Sequence, residues 1–574
     1  MRLSARLATY LELGLLVLLV AVLTTNRLDA GPICGANEAV EAVFVQQMVE
    51  HGDWLFPLDN GAGPMYKPPL FHWTATTLDR LAGIRKVDAL NLRLPSALYA
   101  TAGAALTMGF ALSRFGPAPA VLSGLILAAS YQYISEGRVG RVDMTLTFLE
   151  ALSLFSFIWW LSAPENESSR RRTALHFLLA ASMGLGVLAK GPVGAILPGS
   201  AIGLFLAVEE RWTDLRRLMR PLPIIFGAAL ASSWYVICLV GGRFGFLSRQ
   251  LGSENFGRFF GTLGRMPFGY YAQPLLLNAG PISLLIPLAV ITAIAMPRTR
   301  YADFNQLDDG SAGPPRNELD CARLFALFWI VTVVFFELAA YKRKAYLLPL
   351  WPPSAILLAW WTWRIVRPRW GKGVVIALAT ACVAMTVGNF FFIPWRETRD
   401  CGGSLSLTQA LEWPFLSLYG EQPRYVTRQD WLRIAARRID GVVGANRPLF
   451  AYRLDEAMEP WIFYLDRNIV PVHGPINSIP SGYVLVPRPI WNKQADDAHG
   501  FKELLILPDD QHGIVLLHHE AMAAATPSSM RQSRPNRIEK GGLSAMVPWA
   551  AGSHAGATPS AQAAASAGLG NRQS

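Results

Sequence analysis

The chain has 574 residues, of which 52% are hydrophobic and only 16% charged, and its mean hydropathy is +0.27. A soluble protein is about one-quarter charged, so this balance excludes an ordinary soluble enzyme and indicates a polytopic membrane protein. The net charge of +11 lies largely in short loops between apolar runs, which fits membrane topology and phosphate binding better than nucleic acid.

The N-terminal run MRLSARLATYLELGLLVLLVAVLTT has a basic start and reads as an uncleaved first span. A cleaved signal peptide is the competing reading, but Leu28-Asp29-Ala30 is a poor cleavage site. The stretch Asn37 to Trp73 follows. It is too polar to cross a bilayer and carries Glu38, Glu41, Asp53 and the stiff basic turn Tyr66-Lys67-Pro68-Pro69. Helices are expected over about 37–51 and 69–83 at the membrane surface. The Gly-rich turn Asp59 to Pro64 between them would let Lys67 face a phosphate.

Further spans are expected near 92–113, 117–133, 143–162, 174–190, 192–208, 221–241, 272–296, 322–340, 346–366 and 373–393, about eleven in all. Three loops are densely basic: Arg170 to Arg172, Arg211 to Arg220, and Arg364 to Lys372. With the N-terminus inside, all three fall on the cytoplasmic face. The first loop and everything after about 394 then fall on the periplasmic side. Residues 395–520 read as a soluble α/β domain, with strands at Pro448–Leu454, Asn468–Val472, Tyr483–Val486 and Gly513–His519. A helix is expected over Arg428–Ile439, ending before Asp440-Gly441. The Ala/Ser/Gly/Pro-rich end reads as a disordered tail. The expected organisation is a membrane domain over 1–394 (with its first outer loop at 25–91), a periplasmic α/β domain over 395–524, and a tail over 525–574.

This orientation leaves cations on the outer face, against the usual bias. They include Lys67, Arg138, Arg141, Lys190, Arg243, Arg249, Arg258, Arg265 and the run Lys342-Arg343-Lys344. Snorkelling to headgroups explains some of them. A pocket for phosphate or pyrophosphate explains those held in tight turns, namely Lys67, Lys190 and the 342–344 hairpin. Glu38 and Asp143 add carboxylates. Either could act as a general base or hold a divalent ion, although a carboxylate beside Arg is more often a structural ion pair.

Several stretches together resemble a GT-C membrane glycosyltransferase of the protein-mannosyltransferase superfamily. The resemblance extends to bacterial aminoarabinose lipid A transferases of glycosyltransferase family 83. The stretches are MYKPPLFHW, NLRLPSALYA with Arg93, GRVGRVDMTLTF with Arg138 and Asp143, LAKGPVGAILP with Lys190, SENFGRF with Arg258, and KRKAYLLPLWPP with Lys342 and Tyr346. They occur in the family's order. The resemblance implies a GT-C-like polytopic helical fold and an inverting transfer of a sugar from a polyprenyl-phosphate donor on the outer face. The acceptor would be a lipid, a glycan or a protein.

Carried over residue by residue, it implies donor-phosphate contacts from Lys67, Lys190, Arg258, Lys342 and Arg138. It implies substrate contacts from Tyr346 and Arg93, and catalysis by the first-loop acidic pair, here Asn37-Glu38, with Asp143. The chain departs from the family here, because Asn37 stands where Asp is expected. Val40 and Glu41 replace an Arg and a Tyr, and Gly264 stands where a His often precedes Pro267-Phe268.

Asn cannot act as a base, so a catalytically silent homologue that binds lipid-linked sugar stays open. So does a transporter or flippase, although few ionisable residues are mid-span candidates (Glu150 and Glu337 lie within spans) and no inverted repeat is visible. An already activated donor requires no nucleotide site, and the candidate cofactor is a divalent ion, for which Glu38, Asp143, His51 and Asp53 could offer ligands. The five cysteines, at 34, 238, 321, 382 and 401, have no metal-type spacing. Cys34 and Cys401 could pair outside the membrane. No nucleic-acid motif is present.

Overall fold

The computed structural model describes residues 2–520 except 30, 62, 164–168, 263, 278–279, 298–316, 401–430, 445–446 and 508–512. The expected tail and Cys401 lie outside the described residues.

Among the described residues, seven helices are long and apolar enough to cross a bilayer: Leu7–Thr25, Ala89–Phe115, Val142–Leu161, Arg170–Lys190, Pro221–Val240, Glu318–Leu338 and Lys372–Pro394. Three shorter apolar helices, Pro117–Ala129, Val193–Val208 and Ile282–Ala295, add to the bundle. All eleven expected runs fall on helical segments, and the protein is a polytopic helical membrane protein. Three of those runs are broken. The 117–133 run ends at Ala129, where the Ser130 hydroxyl accepts from the Tyr133 amide and starts a new short helix, Tyr131–Glu136. The 272–296 run divides into Ala272–Leu277, a 3-10 turn Gly280–Leu285, and Ile286–Ala295 with Pro287 in its first turn. The 346–366 run begins as a 3-10 turn over Lys344–Leu350 that contains Pro349. It becomes helical at Trp351, where Pro352 and Pro353 need no amide partner.

The bundle core is aromatic. Phe110 stacks on Phe155 with centroids 4.3 Å apart, and Phe325 meets both edge-on. Small residues allow close crossings, and a Cβ on Gly194 would run into the backbone of Gly186 on the neighbouring helix.

The first loop forms helices Ala36–Glu50 and Leu70–Leu81, within two residues of the expected bounds. Between them β1 (Leu58–Asp59) and β2 (Gly63–Pro64) pair antiparallel. The C-terminal segment forms a five-stranded sheet from β3 (Leu449–Tyr452), β4 (Val470–Val472), β5 (Gly482–Pro487), β6 (Phe501–Leu507) and β7 (Ile514–His519), in the order β4-β3-β5-β7-β6. β3 runs parallel to β4 and β5, while β7 is antiparallel to β5 and β6. Edge strand β6 was not legible in the sequence, because a register shift between Glu503 and Leu505 breaks its period-2 pattern. The helix Trp431–Val443 continues through Asp440-Gly441, four residues past its expected end at Ile439, because Ile439 and Val443 are both buried against the sheet.

This segment packs directly on the first loop. Ala39, Val43 and Phe71 of the loop share one apolar cluster with Leu432, Ile439, Trp461 and Ile462. Polar contacts fix the register. The Ile33 amide donates to Tyr464 Oη (2.9 Å), and Asn60 exchanges two hydrogen bonds with the backbone of Ile469 (2.6 and 2.7 Å). Asn60, in the turn expected to let Lys67 face a phosphate, thus also docks the C-terminal segment.

Candidate functional site

Four chain turns converge at one end of the bundle. Lys67 comes from the Lys-Pro-Pro turn, Arg141 and Asp143 from the start of helix Val142–Leu161, and Lys190 from the last turn of helix Ser169–Lys190. Arg258 follows a π-helix, Ser248–Gly257, and is joined by backbone hydrogen bonds to the hairpin that supplies Tyr341 and Arg343. π-Helical turns widen the backbone and are frequent at functional sites. Gly191 ends the Lys190 turn at φ +95°, and a Cβ there would come within 2.6 Å of the Gln250 amide nitrogen.

These groups enclose a cavity of about 320 Å³. One part is charged, with Lys67, Arg141, Lys190, Arg258 and Arg343 against Asp143 and Glu254, an excess of three positive charges. The other part is apolar, walled by Phe256, Phe259, Phe260, Phe335, Phe336 and Ile196. Phe256 and Phe260 are themselves exposed and lie parallel, 6.5 Å apart. A cationic pocket that opens into an aromatic and aliphatic trough suits an amphiphile with an anionic head.

The cations are held in place by partners. Lys190 donates to Asp143 and lies 4.7 Å over the Tyr346 ring. Arg141 reaches Asp143 at 3.0 Å and Glu136 at 3.6 Å. Burial alone would favour the neutral guanidine, but Asp143 and Glu136 outweigh it and push the Arg141 pKa up. Arg258 is raised in the same way: burial opposes the charge, while Tyr346 and Glu254 favour it. It donates to Tyr346 Oη (3.2 Å) and Glu254 (2.6 Å) and stacks on Tyr341. Lys67 donates to buried Glu41 (2.5 Å), which also accepts from Tyr66 (3.1 Å) and contacts His72 Nε2 (2.6 Å).

Of the residues expected from the sequence, the cavity lining brings together Lys67, Asp143, Lys190, Arg258 and Tyr346. Glu38 stands outside it. Arg93 clasps both Glu38 oxygens (2.7 and 2.8 Å), and the Gly140 amide adds a third bond (2.9 Å). Burial would raise Glu38, but Arg93 and that amide hold it below the usual carboxylate range. Arg93 also donates to the carbonyls of Leu28, Gly31 and Pro32, so it staples the first loop to the bundle. Arg138 donates to the carbonyls of Leu23 and Asn26 at the end of the first span. Lys342 is buried outside the lining. Asn37 also lies outside it, but its side-chain oxygen accepts from the lining residue Arg343 (2.8 Å).

Arg141, Glu254, Tyr341 and Arg343 were not singled out as site residues, and neither were Glu41 and His72. Arg141 and Arg343 had a signal as outer-face cations. His72 had none, being one aromatic-like position in an apolar helix. No three His, Cys, Asp or Glu side chains cluster to hold a metal ion among the described residues. Asp143 is engaged by Lys190 and Arg141, and Glu38 by Arg93. Cys34 is disulfide-bonded, while Cys238, Cys321 and Cys382 are free and buried.

Residues 66–237 match the family described as dolichyl-phosphate-mannose-protein mannosyltransferase. An uncharacterized protein of Aquifex aeolicus is 27% identical over 348 residues, covering 60% of this chain and 63% of that protein. The undecaprenyl phosphate-alpha-4-amino-4-deoxy-L-arabinose arabinosyl transferase of Edwardsiella ictaluri is 24% identical over 371 residues, 63% of this chain and 62% of that protein. The chain thus spans somewhat under two thirds of these curated relatives' length. The crystal structure of ArnT from Cupriavidus metallidurans bound to undecaprenyl phosphate superposes with a TM-score of 0.65 at 19% identity, covering 88% of this chain and 97% of that one. The chain is a GT-C-fold membrane protein that resembles the aminoarabinose transferases.

Proposed function

We propose that the protein transfers a sugar, with inversion, from a polyprenyl-phosphate donor to a lipid or glycan acceptor at the periplasmic face of the inner membrane. The observation that carries this reading is the two-part cavity, which has five cations at one end and phenylalanines at the other. The relatives named for undecaprenyl phosphate chemistry, and the fold shared with a protein crystallised with that lipid, support it.

In this reading the donor phosphate binds among Lys67, Arg141, Lys190, Arg258 and Arg343, and its prenyl chain lies along the phenylalanines. Phosphate oxygens compete with Asp143 for Lys190 and Arg141, so donor binding frees the carboxylate. The acceptor oxygen attacks the anomeric carbon from the face opposite the phosphate. The anomeric C–O bond breaks, and its electron pair stays on the phosphate oxygen, where the cations stabilise the charge. A hydroxyl acceptor loses its proton to Asp143, the lining carboxylate that donor binding frees.

The test uses purified protein in proteoliposomes with total polyprenyl-phosphate sugars, with and without chelator and added divalent ion. Transfer that is lost in Asp143→Asn supports the reading. Full activity in that variant overturns the role of Asp143. Binding of lipid-linked sugar without any transfer would show the silent homologue instead.

A further inference from the structure

A second cavity, of about 400 Å³, lies apart from the cationic one. It is enclosed by helices Ser169–Lys190, Val193–Val208, Trp212–Leu218 and Pro221–Val240. Along the first of these its lining runs from His176 to Gly184. Lys190 ends that helix, so His176 sits about 21 Å from it along the axis. The second cavity therefore belongs to the opposite end of the bundle, the end that carries the basic loops.

Small residues make this space. A Cβ on Gly184 would come within 2.5 Å of the Gly227 carbonyl oxygen, so two of the helices touch at the cavity's inner end. Gly199 and Gly203 also line it, and a Cβ on either would meet nothing within 4 Å. His176 is the one polar side chain of this lining among the described residues. Met219 and Ile224 line the cavity and are exposed, so it opens outward. In a membrane-spanning bundle an apolar opening faces lipid. Apolar cavities exclude water, and the occupant that suits this one is an acyl chain of the surrounding bilayer.

The mouth is cationic. The neighbours of His176 there are the Leu218 backbone and the charge of Arg220. Arg216 and Arg220 are exposed. Asp214 is shared by Arg172, Arg211 and Arg217, at 3.8, 2.8 and 3.7 Å, so one carboxylate answers three guanidinium groups. Residues 170–172 and 209–220 together carry seven arginines against three carboxylates. Membrane topology alone accounts for basic loops on one face. It does not account for an open apolar cavity beneath them. Basic pockets between membrane helices bind anionic headgroups, and guanidinium matches the oxygens of a phosphate.

We propose that this cavity is a binding site for an anionic phospholipid, separate from the cationic cavity at the other end. One acyl chain fills the space between His176 and Gly184, and the phosphate rests on Arg216 and Arg220.

The test is native mass spectrometry of the full chain, delipidated in detergent and titrated with dioleoyl phosphatidylglycerol or dioleoyl phosphatidylcholine. Wild type should bind one phosphatidylglycerol about tenfold more tightly than phosphatidylcholine. Arg216→Gln combined with Arg220→Gln should bring the two affinities together. Gly203→Leu should weaken both by about tenfold or more, because the leucine occupies the acyl space, and leucine in place of glycine favours the helix.

Equal affinity for the two lipids in wild type overturns the inference, as does an unchanged preference in the double arginine variant. Phosphatidylglycerol binding that Lys190→Ala abolishes and Gly203→Leu spares would place the lipid in the cationic cavity and overturn it too. A wild-type dimer that Gly203→Leu dissociates would give the cavity to a second copy of the chain instead. Should Gly203→Leu fail to fold, the arginine variant decides, because both of its changes are at exposed positions. None of these outcomes depends on whether the protein transfers sugar.

Discussion

Lys190 and Asp143 meet at the cavity, where the last residue of one membrane-spanning helix donates to a carboxylate in the first turn of another. Each is almost fully withdrawn from solvent and each lines the cavity. The pair therefore fixes two helix ends and keeps both groups in reach of one ligand.

Lys190→Ala should lower sugar transfer in proteoliposomes by about 100-fold or more, the usual effect of deleting one preorganised charge donor. Lys190→Arg should retain part of the activity, because it keeps the charge but displaces it. Equal activity in Lys190→Ala and wild type would remove Lys190 from phosphate binding.

Glu38 is held by Arg93 and the Gly140 amide. Arg93→Ala leaves Glu38 buried with only the Gly140 amide, and loss of one partner of a buried pair costs about 3–5 kcal/mol. Thermal melts in detergent should show Arg93→Ala and Glu38→Gln both strongly destabilised, with effects well below additive in the double variant. A Glu38→Gln protein that melts like wild type yet fails to transfer sugar would return Glu38 to catalysis.

Asp79 gives a pH signature. It is 2% exposed, one of its oxygens has no partner among the described residues, and burial with Asp88 nearby raises it to about 6. An unfolded Asp titrates near 3.9, so the folded protein holds the extra proton between those values. Stability from this group is greatest at low pH and falls as pH rises through about 4 to 6. Discounted for solvent screening, the loss is ~1 kcal/mol. Asp79→Asn should raise the melting temperature at pH 7.5 and leave it unchanged near pH 4. An equal shift at both pH values would show that its ionisation does not matter.

The docking of the C-terminal segment on the first loop depends on Asn60. Asn60→Ala leaves the Ile469 amide and carbonyl without that partner, at a cost of about 1–3 kcal/mol. Limited proteolysis should then cut the C-terminal segment faster than in wild type, while the bundle survives. Unchanged protection would place the docking energy in the apolar cluster alone.

Asn37→Asp would give Arg343 a charged partner in place of a neutral oxygen acceptor. If the parent is already active, the variant should transfer at a similar or lower rate, because Arg343 is drawn from the ligand. Activity that appears only in Asn37→Asp would show that the parent chain is the silent form.

The sequence by itself determined the solvent and most of the architecture. Apolar runs of near 20 residues must be helices in a bilayer, because no other arrangement satisfies their backbone there. For that reason all eleven runs lie on helix, and the misses fall where local chemistry interrupts: Ser130, Pro287 and Pro349. Turn residues also marked Lys67 and Lys190 as cations held in place, and both line the cavity.

What the sequence could not decide is pairing. Glu38, Glu41 and Asp143 are alike as carboxylates near a membrane end. Only the tertiary structure gives Glu38 to Arg93, Glu41 to Lys67 and His72, and Asp143 to Lys190 and Arg141. A carboxylate's task depends on which cations lie within a few ångströms and how much water is left around it. Both are set by residues tens to hundreds of positions away, such as Gly140 beside Glu38 and Arg343 beside Asn37.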